Sequence, residues 1–372
     1  MKNIKLKDYS IYLYDQWSNF RELTKDYDNI IVLMDVKSKI YCYDEFRIKT
    51  GIGEHQTIVI PDDEGKCVSE LDKKGSSRKL INCLEQFKNL ETCSFIYERL
   101  MDLGADRHSL LINLGGGVVC DMGGFCAATF MRGFDFIQFP TTLLAQVDGS
   151  VGGKLGVNFK GIKNLIGLFK NPVGIFIYDR FLISLPDREL RSGFAEIVKH
   201  ALILNYNLWQ QIEKMEELKI EEMMPLIEKS IVIKKQIVQT DPLETGKRKI
   251  LNFGHTLGHA LETTYINRGL TIAHGEAVAA GMVMESFLSK EYYGHSDEWM
   301  EIIVHTLRKF FAKFEIDDDI EREMLDNIKL DKKNKRRQPS FALMIGIGNV
   351  EYDINLPDDK IVDSINYYRE NY

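Results

Sequence analysis

Short β-branched runs alternate with amphipathic stretches through the first half of the chain. IIVLMD (30–35), QTIVI (56–60), SLLINLG (109–115), FDFIQFP (134–140) and GIFIYD (174–179) read as strands. Each is followed by a polar or glycine-bearing turn and then a helix-like segment, the alternation of a parallel sheet. Near residue 180 the pattern changes. From PDRELRSGFAEIVKHALIL through EAVAAGMVMESFLSKEYY the period is helical and the composition rich in Ala, Leu, Met and Glu. A chain of 372 residues is long enough for about two domains. The pattern predicts an α/β domain over residues 1–185 and a helical, all-α domain over 186–372. Ligands are expected in a cleft between them.

Composition narrows the function. The net charge of −7, from 48 basic and 55 acidic residues, gives no support to a nucleic-acid partner. Cys42, Cys67, Cys83, Cys93, Cys120 and Cys126 form no CxxC pair and no dense framework, which fits reduced thiols in a cytoplasmic protein. MKNIKLKDYS has no apolar core of signal-peptide length, and the apolar region near 109–131 is broken by Asp121 and several glycines. No membrane association is expected. The run KLDKKNKRRQP (329–339) reads as a solvated loop.

Within RKILNFGHTLGHALE, Arg248, Asn252, His255 and His259 are spaced four, three and four apart, so a continuous helix would place all four on one face. Their neighbours Ile250, Leu251, Phe253 and Leu257 are apolar. A buried cation, amide and imidazole pair cost several kcal/mol in rough terms unless partnered. A metal ion and an anionic substrate would answer all four. His274, opening HGEAVAAGMVM, adds a third imidazole, and SGFAEIVKHALI sets Glu196 and Lys199 one helical turn apart. Two histidines, one carboxylate and an open position are a common catalytic zinc set; a surface ion pair also fits Glu196 and Lys199.

LLINLGGGVVCDMGGF places Gly115, Gly116 and Gly117 directly after a strand, where backbone N–H groups can approach a phosphate at a helix N-terminus. A plain tight turn explains three glycines equally well, while Gly123 and Gly124 add weight to a ligand. Asp35 closes the first strong strand, able to accept from a ribose or to cap a helix. In TTLLAQVDGSVGGKLGVNFKGIKNLIG, Asp148, Lys154, Lys163 and Asn164 stand among glycines, as solvated loop groups or as an anion site.

GGGVVCDMGGF, MRGFDFIQFPTTLLAQVDGSVGGK, IKNLIG, LPDRELRSGFAEIVKHALI, LNFGHTLGHALE and HGEAVAAGMVM, in this order, resemble 3-dehydroquinate synthase. The resemblance is dense from Leu111 to Met284, returns at DKKN (331–334) and is loose before residue 85. It implies a Rossmann-like NAD-binding domain, a helical metal- and substrate-binding domain, a homodimer and a bound zinc that cobalt can replace. The implied reaction converts 3-deoxy-arabino-heptulosonate 7-phosphate, a sugar acid phosphate, to 3-dehydroquinate and phosphate. Glu196, His255 and His274 would be the metal ligands, with His259 a proton-handling neighbour. Lys154, Lys199, Lys234, Arg248 and Asn252 would join His259 as catalytic groups. Asn164 would line the substrate, Lys332 or Lys333 would reach its phosphate, and Arg132 would reach the partner subunit's substrate.

For NAD the resemblance points to Asp35, Glu85 and Lys88, and to the turn Gly116, Gly117, Val118, Val119, Cys120 and Asp121. It adds Thr141, Thr142, Asp148, Lys154 and Lys163, then Phe181, Leu182, Ile183 and Ser184. Three departures fall on this side: Lys37 stands where an amide is common, Leu84 precedes Glu85 in place of glycine, and Cys120 replaces a frequent glycine. Other readings are a sedoheptulose 7-phosphate or 2-deoxy-scyllo-inosose type cyclase, a metal-dependent polyol dehydrogenase, or a binding protein of the same fold. Lys234, Arg248, Asn252 and His259 together favour the acid-bearing substrate.

Overall fold

The computed structural model describes residues 2–14, 16–52, 56–61, 85–330 and 339–372. Cys67, Cys83, Leu84, Lys332 and Lys333 lie outside the described residues. The chain forms two compact units, Met1–Pro186 and Asp187–Tyr372.

The first unit runs β1 (Lys2–Lys5), β2 (Ser10–Leu13), α1 (Trp17–Thr24), β3 (Ile30–Asp35), α2 (Val36–Tyr41), α3 (Tyr43–Thr50) and β4 (Thr57–Ile60). It continues with α4 (Leu90–Asp102), β5 (Leu110–Gly115), α5 (Gly117–Thr129), β6 (Asp135–Pro140), β7 (Lys154–Phe159), β8 (Ile162–Phe169) and β9 (Gly174–Ile177). Seven strands make one sheet in the order β1-β2-β9-β6-β5-β3-β4, parallel except for the β1–β2 pair. The period of two decides which face each residue buries. In β3, Ile31 and Leu33 enter a core shared with α4 and α5, while Val32 and Met34 enter an aromatic core with Trp17, Phe20, Phe46 and Phe139. Strand order reverses between β3 and β5, which sets the crevice for a ligand at their carboxyl ends, at Asp35 and Gly115–Gly117.

Two parts of this unit depart from the sequence pattern. The short strands β1 and β2, the latter burying Ile11 and Leu13, cap one sheet edge. The glycine-bearing lysine segment, which reads as solvated loop groups or as an anion site, is the antiparallel hairpin β7–β8. Its turn residues Lys160 and Gly161 both have positive φ, 48° and 77°, as a two-residue hairpin turn requires. Gly123 and Gly124, expected to signal a ligand, serve packing instead. A Cβ on Gly123 would stand 2.0 Å from Asn113 Oδ1, and one on Gly124 would stand 2.4 Å from Leu155.

The second unit runs α6 (Asp187–Leu204), α7 (Tyr206–Glu213), α8 (Met223–Thr240), α9 (His255–Asn267), α10 (His274–Tyr293), α11 (Asp297–Phe310) and α12 (Asp318–Leu330). It ends with β10 (Phe341–Gly346), β11 (Asn349–Ile354) and α13 (Asp358–Asn371). Helices dominate as expected, but the hairpin β10–β11 departs from an all-α unit. Its strand β10 packs on α10, where Met344 N donates to Ser289 Oγ at 2.9 Å. No helix among the described residues is long and apolar enough to cross a membrane.

Helices α9 and α10 touch at the level of their backbones. A Cβ on Gly281 would lie 1.9 Å from the Gly254 carbonyl oxygen, and one on Gly258 would lie 2.8 Å from that of Ala277. Gly281→Ala is therefore expected to cost about 1–3 kcal/mol despite the better helix propensity of alanine. Gly117→Ala, where a Cβ meets nothing within 4 Å, should stay within about 0.5 kcal/mol of the native chain. Denaturant unfolding compares the two; equal midpoints would refute the packing role of Gly281.

Candidate active site

The histidine segment is not one helix. Lys247–Asn252 form a 3-10 turn, Phe253 is extended, Gly254 has φ 75°, and α9 begins at His255. Arg248 and Asn252 therefore lie on a different element from His255 and His259, a correction to the single-face expectation. The break has a cause in α10: the close approach of Gly254 to Met282 and Gly281 admits no side chain. Buried Glu285 of α10 then accepts from Gly254 N at 2.7 Å and Leu257 N at 3.1 Å, satisfying donors at the start of α9.

His255 and His274 each occupy the first position of a helix. Glu196, in α6, has no exposed surface. Its Oε1 lies 3.5 Å from His255 Nε2 and 3.7 Å from His274 Nε2, while its Oε2 pairs with Lys199. The other ring nitrogens are engaged: His255 Nδ1 lies 3.2 Å from Phe253 O, and His274 Nδ1 lies 3.4 Å from Glu262 Oε2. Both Nε2 atoms thus face one carboxylate oxygen. Donors held 2.0–2.2 Å from a tetrahedral ion stand roughly 3.4 Å apart, so the donor set fits a divalent metal. Burial opposes charge on His274, yet hydrogen bonds to Glu196 and Glu262 outweigh it and raise its pKa to about 9. The surroundings favour a cation. His259 is close by, its ring 4.9 Å from that of His255 and 5.6 Å from that of His274, and one donor atom from each of the three imidazoles lies within 4.8 Å of the others.

The supports of this cluster come from residues that sequence reasoning left without a role. Ser192, one turn before Glu196, accepts from Gly275 N at 2.9 Å and so ties α6 to the residue after His274. Arg188 pairs with Glu276 at 2.6 Å, and Glu276 accepts from Ala273 N to close the start of α10. Glu262 was legible, since His255, His259 and Glu262 follow the helical four-and-three spacing.

Three cations assigned to the substrate are buried in this unit: Lys199, Lys234 and Arg248. Arg248 Nη1 donates to Pro242 O at 2.7 Å, and its backbone N donates to Asp241 Oδ2 at 3.0 Å. Lys234 lies one turn beyond Ser230 on α8, and Ser230 Oγ is 2.6 Å from His200 Nδ1 of α6. Asn252 is half-buried.

In the first unit, Asp35 caps α2, accepting from Ser38 N at 2.8 Å and Ser38 Oγ at 2.9 Å. Burial raises its pKa against those hydrogen bonds and the nearby charge of Lys37. Ser38 Oγ is 3.4 Å from Thr141 Oγ1, Thr141 N donates to Gly115 O at 2.9 Å, and Gly116 lies against Thr142. The carboxyl ends of β3, β5 and β6 therefore meet, with the N-terminus of α5 at their centre. On that helix Val119 and Cys120 turn their side chains into the core, Cys120 Sγ donating to Gly115 O at 3.7 Å. Cys120 N donates to Gly116 O at 3.0 Å, so the donors left to face an anion are the backbones of Gly117, half-buried Val118 and Val119. Cys120 thus spends its departure from glycine on packing.

Asp121, one turn along α5, pairs with buried Lys88 at 2.6 Å. Burial works against the Lys88 charge, but Asp121 and Glu85 outweigh it and raise the pKa. Asp148 lies in the π-helical turn Ala145–Gly149. Lys154, Lys163, Asn164 and Arg132 are exposed, Arg132 at φ 71°. Phe181 and Leu182 are buried, whereas Ile183 and Ser184 are exposed.

The sequence comparisons point to one family. The model described as 3-dehydroquinate synthase N-terminal matches residues 79–192, and that described as 3-dehydroquinate synthase C-terminal matches residues 193–334. A 3-dehydroquinate synthase from Parabacteroides distasonis is 34% identical over 348 residues, covering 93% of each chain. Among solved structures, a 2-epi-5-epi-valiolone synthase from Streptomyces hygroscopicus subsp. jinggangensis with NAD+ and Zn2+ bound superposes with a TM-score of 0.80. It is 21% identical, over 100% of this chain and 99% of that one. A 2-deoxy-scyllo-inosose synthase complexed with carbaglucose-6-phosphate, NAD+ and Co2+ gives 0.78 at 23% identity, with the same coverage. The fold is shared with these two synthases. The chain belongs to the 3-dehydroquinate synthase family.

Replacing Glu262 by Gln keeps the shape but removes the charge behind His274. Zinc affinity, measured by competition with a chromophoric chelator, is expected to fall roughly tenfold or more. An affinity equal to that of the native chain would contradict the orienting role of Glu262.

Proposed function

We propose that the chain converts 3-deoxy-arabino-heptulosonate 7-phosphate to 3-dehydroquinate and phosphate, with NAD and one divalent ion, zinc or cobalt, as cofactors. The carrying observation is the buried Glu196 carboxylate facing two imidazole Nε2 atoms, in a member of this family. The same fold holds NAD with cobalt or zinc in the inosose and valiolone synthases, which supports the cofactor pair.

When bound, the ion supplies Lewis-acid polarisation of a substrate hydroxyl, and NAD supplies a hydride acceptor that returns what it takes. Glu196, His255 and His274 would hold the ion; His259, beside them, would pass a proton at its imidazole. Lys199, paired with Glu196 Oε2, holds that carboxylate in place. Arg248 presents a planar donor fork to the substrate carboxylate, with Lys234 and Asn252 as further contacts. Such buried cations favour an acidic phosphate ester over a neutral sugar. On the first unit, Asp35 and the Gly116–Asp121 turn receive NAD, with Glu85, Lys88, Thr141, Thr142, Asp148 and the Phe181–Ser184 stretch around it. Lys154, Lys163 and Asn164, exposed on the hairpin, are assigned to cofactor and substrate. Lys332 and Lys333, outside the described residues, keep their assignment to the phosphate. We assign the chain to the cytoplasm as a homodimer in which Arg132 serves the partner's substrate.

The test is an assay with the heptulosonate phosphate, catalytic NAD and zinc, reading phosphate, dehydroquinate and absorbance at ~340 nm, where the reduced nicotinamide absorbs. Equal phosphate and dehydroquinate with no net NADH is expected. Phosphate release from sedoheptulose 7-phosphate alone would move the chain to a neighbouring cyclase, and stoichiometric NADH would make it a dehydrogenase. His274→Ala is expected to lose bound metal and turnover together; full turnover in a metal-free variant would end the assignment.

A further inference from the structure

Asn158, next to the end of β7, has no part in any role assigned above, yet it joins two groups of residues that do. Its Nδ2 donates to Glu85 Oε1 at 2.8 Å and more weakly to Glu85 O at 3.4 Å. Its backbone N donates to Lys88 O at 2.7 Å. Its Oδ1 accepts from Asn164 N at 2.9 Å. One amide side chain therefore bridges the Glu85–Lys88 turn and the facing strand β8.

The hairpin register explains why an amide is needed. Val157 pairs with Ile166 and Phe159 with Ile162, so two residues of β7 span what four residues of β8 span. The surplus is a bulge at Lys163, Asn164 and Leu165, and Asn164 sits at φ 49°. A bulge takes backbone donors out of the ladder and re-aims the side chains around it. Asn158 Oδ1 supplies the acceptor that the ladder no longer offers to Asn164 N. Its donor end is then left for Glu85, whose neighbour Lys88 is locked to Asp121.

We infer that Asn158 is a positioning residue that couples the cofactor-side turn, Glu85 and Lys88, to the bulge that presents Lys163 and Asn164. The inference rests on the proposed function for what Lys163 and Asn164 touch. Its chemistry is divisible: an aspartate at this position keeps the acceptor for Asn164 N but loses the donor and sets a second carboxylate against Glu85.

The experiment measures NAD affinity by titration calorimetry, which needs no turnover, and KM and kcat for the heptulosonate phosphate. The native chain, Asn158→Ala and Asn158→Asp are compared, each with its zinc content and thermal midpoint. Asn158→Ala is expected to weaken NAD binding and raise KM, each by roughly five- to tenfold, the effect of one lost hydrogen bond. Asn158→Asp is expected to weaken NAD binding by a similar factor, with KM within about twofold of native. Zinc content stays unchanged. NAD affinity unchanged in Asn158→Ala overturns the inference, as does a lowered thermal midpoint with native binding constants, which marks a purely structural amide. Parallel losses in both variants overturn the division of roles. Absence of turnover in the native chain overturns the proposed function instead, and the calorimetric comparison still decides for or against Asn158.

Discussion

Glu196 is a carboxylate without exposed surface, and the helical unit is organised around answering it. A carboxylate in a low-dielectric interior costs several kcal/mol in rough terms unless cations answer it. Lys199 answers one oxygen and the imidazoles of His255 and His274 face the other. This division of a single carboxylate between an ammonium and a pair of ring nitrogens fixes which atoms point into the site. The histidines are oriented from behind, one by a backbone carbonyl and one by Glu262, so their Nε2 atoms converge.

Convergence also requires the helices to come close enough, which is the work of small residues. Gly254, Gly258 and Gly281 let α9 and α10 meet backbone to backbone, and Gly275 fits against Ser192 of α6, where a Cβ would stand 2.0 Å from the Ser192 carbonyl oxygen. Glu285 and Glu276 then settle the donors at the two helix starts that carry His255 and His274. Packing and chemistry are thus not separable here. The glycines interleaved with the histidines in GHTLGH are there for distance, and the carboxylates behind them for direction.

The sequence was most legible where local pattern equals structure. The five β-branched runs became β3, β4, β5, β6 and β9 because buried parallel strands are nearly continuous in apolar residues. That Glu196, His255, His259 and His274 come together was legible because ionisable groups at helical spacing amid apolar neighbours are costly to bury unless a ligand or a partner answers them. What was not legible depends on contacts far apart in the chain. The left-handed Gly254 splits the histidine segment only because α10 presses on it, so the spacing of Arg248 and Asn252 was misleading. The hairpin β7–β8 was hidden by glycines that serve its turn and the close pairing of its two strands, and Asn158 by a bulge visible only in the register. Gly123 and Gly124 carry the same lesson: a glycine signals close approach, but not of what.

The two units divide the proposed chemistry. The first offers a helix N-terminus at the point where strand order reverses, and the second offers a preformed set of donors for an ion. The account stands or falls on that donor set. Its most direct test is a cobalt titration of the metal-free chain, followed by visible absorption, with Glu196→Gln as the comparison. One ion per chain, bound more than about a hundredfold tighter by the native chain than by the variant, is the result this account predicts. Equal affinities, or no bound ion in the native chain, would contradict it.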